Sequence, residues 1–321
     1  MKRACFAFAC ILGAFAFGNA GAQTYPNQPV RIVVPFAAGG AVDSVARIVG
    51  QKMSESFGHP VVIENRPGAG GNLAAETVAR AAPDGYTILL TTNGHAISPS
   101  LYRMLPFDVM KDFIPVTQLI ESPLLLIASN KLPVDSLKDL VALAKQKPGS
   151  LNYGSTGVGN PLHLSMEMLK NATNNVAAVP YRGDAPLNTA LIAGEVDIAI
   201  VPVATGRANV ENKLVKGLAV TTAQRSKAMP DLPTIADQGV SGFDTGSWQG
   251  FFVPANTPRD IVQRIYQETK KALSAPDVRE RLKAFVAEPV ANEPEVFAQK
   301  FKDDVAKYAK IVKDSNIPMQ N

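Results

Sequence analysis

Phe113-Ile114-Pro115-Val116-Thr117-Gln118-Leu119-Ile120-Glu121-Ser122-Pro123-Leu124-Leu125-Leu126-Ile127-Ala128 is a long, mostly apolar stretch with no helical stripe. Apolar residues that recur without a 3.6-residue period read as extended chain, and this run is long enough to leave one domain and enter another. A second extended run, Trp248 to Val253, lies towards the C-terminus. Two crossings mean that the chain leaves a first domain, builds a second and returns. The expected architecture is α/β, two domains joined by two crossing strands around a central cleft. Residues 23–122 with 250–321 form domain 1, and residues 123–249 form domain 2. Such a cleft favours a small ligand and hinge closure.

On either side of the first crossing, short apolar runs alternate with helical periodicity. Val30 to Pro35 reads as a strand, Phe36-Ala37-Ala38-Gly39-Gly40 as a turn, and Val42, Val45, Ala46, Val49 and Met53 as one face of a helix that Gly58 ends. Val61 to Glu64 is a strand, followed by the turn Asn65 to Gly71, a helix over 72–81 and a third strand from Tyr86 to Thr92. Beyond the crossing, Ser136 caps a helix to about Gln146. Leu151-Asn152-Tyr153 is a strand, Gly154 to Asn160 a glycine-rich turn, and Pro161 opens the next helix. Strands follow at Val176–Val179, Val196–Val201 and Leu218–Val220, with a helix over 185–193. Three C-terminal helical stretches cover roughly 259–274, 277–285 and 294–314.

The N-terminus reads as a signal peptide over residues 1–22: Lys2 and Arg3, an apolar middle, then Ala20-Gly21-Ala22. A mature chain starting near Gln23 would be periplasmic, and it would contain no cysteine, because Cys5 and Cys10 are both upstream. That excludes a disulfide framework, a cysteine nucleophile and cysteine-ligated metals. Without Lys2 and Arg3 the chain has 30 basic against 28 acidic residues, which is no nucleic-acid footprint. His59, His95 and His163 are scattered, so no metal site is expected. Gly154-Ser155-Thr156-Gly157 does not fit a nucleophile elbow, Gly68 to Leu73 fails the dinucleotide fingerprint, and no phosphate loop occurs. No cofactor is expected.

What the sequence does offer is strand, glycine turn, helix, several times over. Each such turn aims unpaired N–H groups and a positive helix end at whatever lies above the strand end. Gly39 and Gly40 in one half, with Ser155, Thr156, Gly157 and Gly159 in the other, could hold a small carboxylate between two helix N-termini. Gly40 is expected to need a positive φ or a close backbone approach. Asp43 reads as a first-turn acid, and His163 as a capping, packing or ligand-contact residue. Arg66 and Arg182 could pair with an anion, and Asp184 and Asp197 could accept from a ligand hydroxyl or amine.

At these residues the chain resembles the Bug family of periplasmic solute receptors. The likeness rests on Val33 to Asp43, Glu64 to Gly71, Pro83 to Thr87, Tyr153-Gly154-Ser155, Pro180-Tyr181-Arg182-Gly183, Gly194 to Asp197 and Leu218 to Thr221. The resemblance implies a type II periplasmic-binding-protein fold. It also implies a non-enzymatic receptor that passes a small organic carboxylate, mono- or dicarboxylic, to the membrane subunits of a tripartite tricarboxylate transporter. The implied binding loops are Phe36, Ala37, Ala38, Gly39 and Gly40 with Asp43, and Ser155, Thr156 and Gly157 with Tyr181 and Arg182 nearby. Val201-Pro202 stands where many relatives carry an acid, and Asp184 where a small residue is usual. A monomer is expected. Two other classes stay open on the residues alone: a sensor for a two-component system, and a hydrolase using Ser155.

Overall fold

The computed structural model describes residues 25–156, 160–173, 176–181 and 183–320; the signal-peptide reading lies outside these residues. In chain order the elements are β1 (Val30–Val34), α1 (Ala41–Phe57), β2 (Val61–Asn65), α2 (Asn72–Ala79), β3 (Thr87–Thr92), α3 (Gly94–Leu101) and β4 (Phe113–Ser129). Then come α4 (Leu137–Gln146), β5 (Asn152–Ser155), α5 (Pro161–Thr173), β6 (Ala177–Pro180), α6 (Asp184–Ala193), β7 (Ile198–Pro202), α7 (Val203–Glu211) and β8 (Val215–Val220). The chain ends with β9 (Gly246–Pro254), α8 (Arg259–Ser274), α9 (Pro276–Lys283), β10 (Glu288–Pro289) and α10 (Pro294–Asp314).

β4 is the long apolar run of the sequence, and it changes partners midway. Phe113 to Pro123 pair antiparallel with Pro254 to Gly246 of β9, whereas from Leu124 onward β4 runs between β7 and β8. The sheet order is β2-β1-β3-β9-β4-β7-β5-β6. On one side β1 is parallel to β2 and β3; on the other, β5 is parallel to β6 and β7. The two crossings are therefore β4 and β9, side by side around Ser122 and Ser247.

Each half of the sheet is buried on both faces, which is why its strands read as continuous apolar runs rather than alternating ones. In the β1 half, one face packs on α1, α8 and α9 through Val45, Val49, Met53, Ile265 and Leu282. The opposite face takes α2, α3 and α10. In the β5 half, α4 and α5 cover one face, and α6 and the start of α7 the other.

Local signals work as the sequence suggests in several elements. Gly58 closes α1 in the left-handed region (φ 70°), donating to Ser54. The Ser136 hydroxyl accepts from the Asp139 N–H to open α4. Two helices have no counterpart in the sequence reading. α3 carries Pro99 internally, and α7 carries Gly206, whose position is packed so closely that a Cβ would lie 2.7 Å from Val201 and 3.0 Å from Leu125. Tertiary contact imposes helix on both segments despite poor propensity. Among the described residues no helix is long and apolar enough to cross a membrane.

Candidate functional site

Strand direction decides where the site lies. Thr92, at the end of β3, pairs with Gln249, and Pro202, at the end of β7, pairs with Leu124. The parallel neighbours β1 and β5 point the same way, with Val33 beside Leu89 and Gly154 beside Ala199, and end about two residues earlier. The C-terminal strand ends of both halves thus converge on the crossing of β4 and β9, the place where open α/β sheets present their loops to ligands.

The first loop, Phe36 to Gly40, is exposed, and it is tied down by a small polar network. Gly39 donates its N–H to Asp43 Oδ2 at 2.9 Å, and Asn65 donates its side-chain amide to the Phe36 carbonyl and to Asp43 Oδ1, both at 2.9 Å. Arg47 completes the network with Nε 2.9 Å from Asp43 Oδ2 and a 3.3 Å bond to Asn65 Oδ1. Burial pushes the Asp43 carboxyl up. The bonds from Arg47, Gly39 and Asn65, with the Arg47 charge, outweigh it and hold the group at about 2. Asp43 is therefore a neutralised anchor for the loop and not a bare charge facing the cleft. The expectation for Gly40 is corrected here: its φ is −76° and an added Cβ would make an ordinary 3.6 Å contact with the Ala37 carbonyl. The left-handed glycine is Gly39, at φ 86°.

In the second loop, Ser155 ends β5, and its carbonyl accepts the Tyr181 N–H at 2.7 Å, which seats the β6–α6 turn beside it. Asn160 caps α5: its side-chain oxygen accepts from the His163 N–H at 2.8 Å while its amide donates to Thr156 Oγ1 at 3.2 Å. Gly154 has no room for a side chain, since a Cβ would lie 1.9 Å from Leu187 of α6. Gly157 and Arg182 lie outside the described residues, as does the side chain of Asp184. His163 is buried, its ring 6.3 Å from that of Tyr153 and its Nε2 3.8 Å from Glu167, which accepts a 2.6 Å bond from the Tyr153 hydroxyl. Burial lowers the His163 pKa, with Glu167 pulling it up and Lys170 pushing it down.

Asp197 is not brought to this place. It precedes β7, at the opposite end of the strand from the crossing, where it exchanges bonds with Asn152: Asn152 N–H to Asp197 Oδ2 at 2.8 Å, and Asp197 N–H to Asn152 Oδ1 at 3.0 Å. It is a clamp between strand starts. Arg66 is already paired with Glu64. Among the described residues no cluster of His, Cys, Asp or Glu could hold a metal ion. A groove of about 630 Å³ along α10 beside Asp244 lies on the other face of the crossing strands, and its Asp304 is engaged by Lys307 at 2.7 Å and by the Trp248 indole N–H at 2.8 Å.

The sequence reading missed the asparagines that hold the site in shape. Asn65 and Asn160 anchor the two loops. Asn93, buried at the end of β3, donates to the Gly246 carbonyl at 2.9 Å and accepts from the Trp248 N–H at 2.9 Å, pinning β9 where it enters. Asn160 bonds locally, to Thr156 and His163, and its place before Pro161 is a sequence cue, whereas the partners of Asn65 and Asn93 are far away along the chain.

Comparison with known proteins identifies the family and the fold. The family model described as tripartite tricarboxylate transporter family receptor, TctC, matches residues 45–317. The structure of the periplasmic binding protein BugD is 35% identical, with a TM-score of 0.74, covering 92% of this chain and all of that one. Rpa4515 of R. palustris, whose structure is described with adipate, is 36% identical with a TM-score of 0.77 and coverage of 92% and 100%. MatC from Rhodopseudomonas palustris, with bound malate, is 33% identical with a TM-score of 0.72 and coverage of 90% and 100%. The two-domain fold is that of the periplasmic binding proteins, and the chain belongs to the TctC family of tripartite tricarboxylate transporter receptors.

Proposed function

We propose that this chain, exported and cleaved near Gln23, is a monomeric periplasmic receptor that captures a small mono- or dicarboxylate and delivers it to the membrane subunits of a tripartite tricarboxylate transporter. Its lobes would be residues 23–122 with 250–321 and residues 123–249, hinged where β4 exchanges β9 for β7 and β8. The observation that carries the reading is the convergence of two loop-to-helix N-termini, α1 after Gly39-Gly40 and α5 after Ser155-Thr156, on one crossing. Helix N-termini offer backbone N–H groups and positive potential to a carboxylate, so capture needs no dedicated cation. Adipate and malate in the structures of relatives support the ligand class.

A thermal-shift screen of organic acids tests it. A true ligand at 100 times its Kd should stabilise the chain by about 2.7 kcal/mol. A screen in which amines, sugars or peptides shift the transition and no carboxylate does would defeat the reading. Transporter membrane subunits encoded beside the gene would favour delivery, and a sensor kinase there would favour signalling.

A further inference from the structure

The floor of the cleft carries unmet hydrogen-bonding capacity. Along β4 and β9 around the crossing, Ile120 pairs with Gln249, Glu121 with Trp248 and Ser122 with Ser247. Side chains alternate faces along a strand, and directly paired residues share a face. One face is covered by α10: Trp248 bonds to Asp304, Lys300 lies 3.9 Å from Glu121, and an added Cβ on Gly250 would lie 2.4 Å from Phe297. Ser122, Ser247 and Gln249 therefore lie on the other face, and so does Thr245, one residue before β9, where its N–H still bonds to the Thr221 carbonyl at 2.9 Å.

That other face is covered by two cores that include α1 and α5, the helices that begin at the two candidate loops, together with α8, α9 and α4. Ile120 packs in the core with α1, and Leu124, on the same face four residues on, packs in the core with α5. Between these two covered patches Ser122 and Ser247 are half-exposed. They are flanked by Gln249 on one side and Thr245 on the other, 7% and 2% exposed. Gln249 Oε1 and Thr245 Oγ1 are buried and have no hydrogen-bond partner among the described residues. Buried polar atoms are nearly always satisfied, so two orphans on one face of a hinge strand call for a function. The row spans about 13 Å at 3.3 Å per residue, short enough for one small ligand and its waters to reach both ends.

We infer that Gln249 and Thr245, with Ser122 and Ser247 between them, form a floor subsite that receives a hydrogen-bond donor on the ligand, and that the receptor therefore prefers a hydroxylated carboxylate over its deoxy counterpart. An amide oxygen only accepts, and a threonine hydroxyl both accepts and donates. Side-chain rotation brings each oxygen to the floor surface when a ligand hydroxyl arrives, directly or through a bound water. The helix N-termini take the carboxylate, and the floor reads what else the ligand carries. This rests on the carboxylate reading above.

The test uses paired acids that differ by one hydroxyl: lactate and propionate, malate and succinate, citrate and tricarballylate. Calorimetric Kd values are measured for the mature chain and for Gln249→Leu, Thr245→Val and Thr245→Ser. The wild type should bind the hydroxylated member of at least one pair about tenfold more tightly, the size of one hydrogen bond to an otherwise unmet group. Gln249→Leu and Thr245→Val should erase that preference and Thr245→Ser should keep it. In the absence of ligand the Leu and Val variants should melt no lower than the wild type, because each removes an orphaned polar atom, an outcome that a merely structural role would reverse. A wild type that binds no acid in the set overturns the carboxylate reading and this assignment together. Binding without a hydroxyl preference, or a preference that survives both apolar variants, overturns the floor assignment alone.

Discussion

At the scale of single residues, the first loop divides its work between two adjacent glycines and one buried carboxylate. Gly39 occupies a left-handed conformation that a side chain resists, whereas Gly40 is an extended N-cap whose added Cβ would make only an ordinary contact with the Ala37 carbonyl. Gly39→Ala should therefore cost about 1 kcal/mol in urea denaturation. Gly40→Ser should leave stability unchanged or raise it by about 0.3 kcal/mol, because serine caps helices only slightly better than glycine. The same serine oxygen would occupy an N–H group that the ligand needs, so its Kd should rise; equal affinities for Gly40→Ser and wild type would remove the α1 terminus from the site. Asp43 supplies a pH signature. Its pKa falls from 3.8 to about 2 on folding, so the unfolded chain takes up the proton first. The stabilisation is complete above the unfolded value and is lost as pH drops from about 4 to about 2. Asp43→Asn should flatten that limb of the stability profile, and identical acid limbs in the two proteins would show that the network with Arg47, Gly39 and Asn65 contributes nothing.

At the scale of elements, glycine is used where a helix must touch a strand. Gly154 admits Leu187 of α6, Gly206 sits against Val201 and Leu125, and Gly250 admits Phe297 of α10. The last contact matters most for the hinge, because α10 also holds Trp248 and approaches Glu121. Gly250→Ala would place a methyl group against Phe297 and should cost about 1–3 kcal/mol through forced repacking. The check is a lower urea midpoint with an unchanged dependence on denaturant; a midpoint equal to wild type would mean that α10 shifts without penalty. The sheet grammar, most helices and both crossings were legible in the sequence because a helical period, or its absence from an apolar run, is a local signal. α3 and α7 were not, since Pro99 and Gly206 argue against helix and only packing on the sheet overrides them.

At the scale of the whole molecule, the proposed receptor would use the crossing strands both as hinge and as floor of the candidate site. Asn93 fixes β9 to the end of β3, and the Trp248 indole fixes it to α10, so under the proposed closure β9 would stay with the α10 side. A compact chain of this length has a radius of gyration of about 19 Å. Ligand saturation should reduce it by about 1 Å in small-angle scattering if the lobes close on a hinge. The same scattering profile with and without a ligand that raises the melting temperature would count against closure.

By itself the sequence determined the α/β class, the two crossings, the glycine turns and the absence of cysteine chemistry after residue 22, because periodicity, turn chemistry and composition are local properties. Only the tertiary structure decided which of those residues meet. It took Asp197 to the far end of the sheet as a partner for Asn152, turned Asp43 inward against Arg47 and Asn65, and moved the demand for a left-handed glycine from Gly40 to Gly39. It also placed Ser122, Ser247, Thr245 and Gln249 on one face between α1 and α5. The reason is strand register: which side chains share a face, and which strand end faces the cleft, depends on pairing between residues more than a hundred positions apart, and no local pattern encodes it.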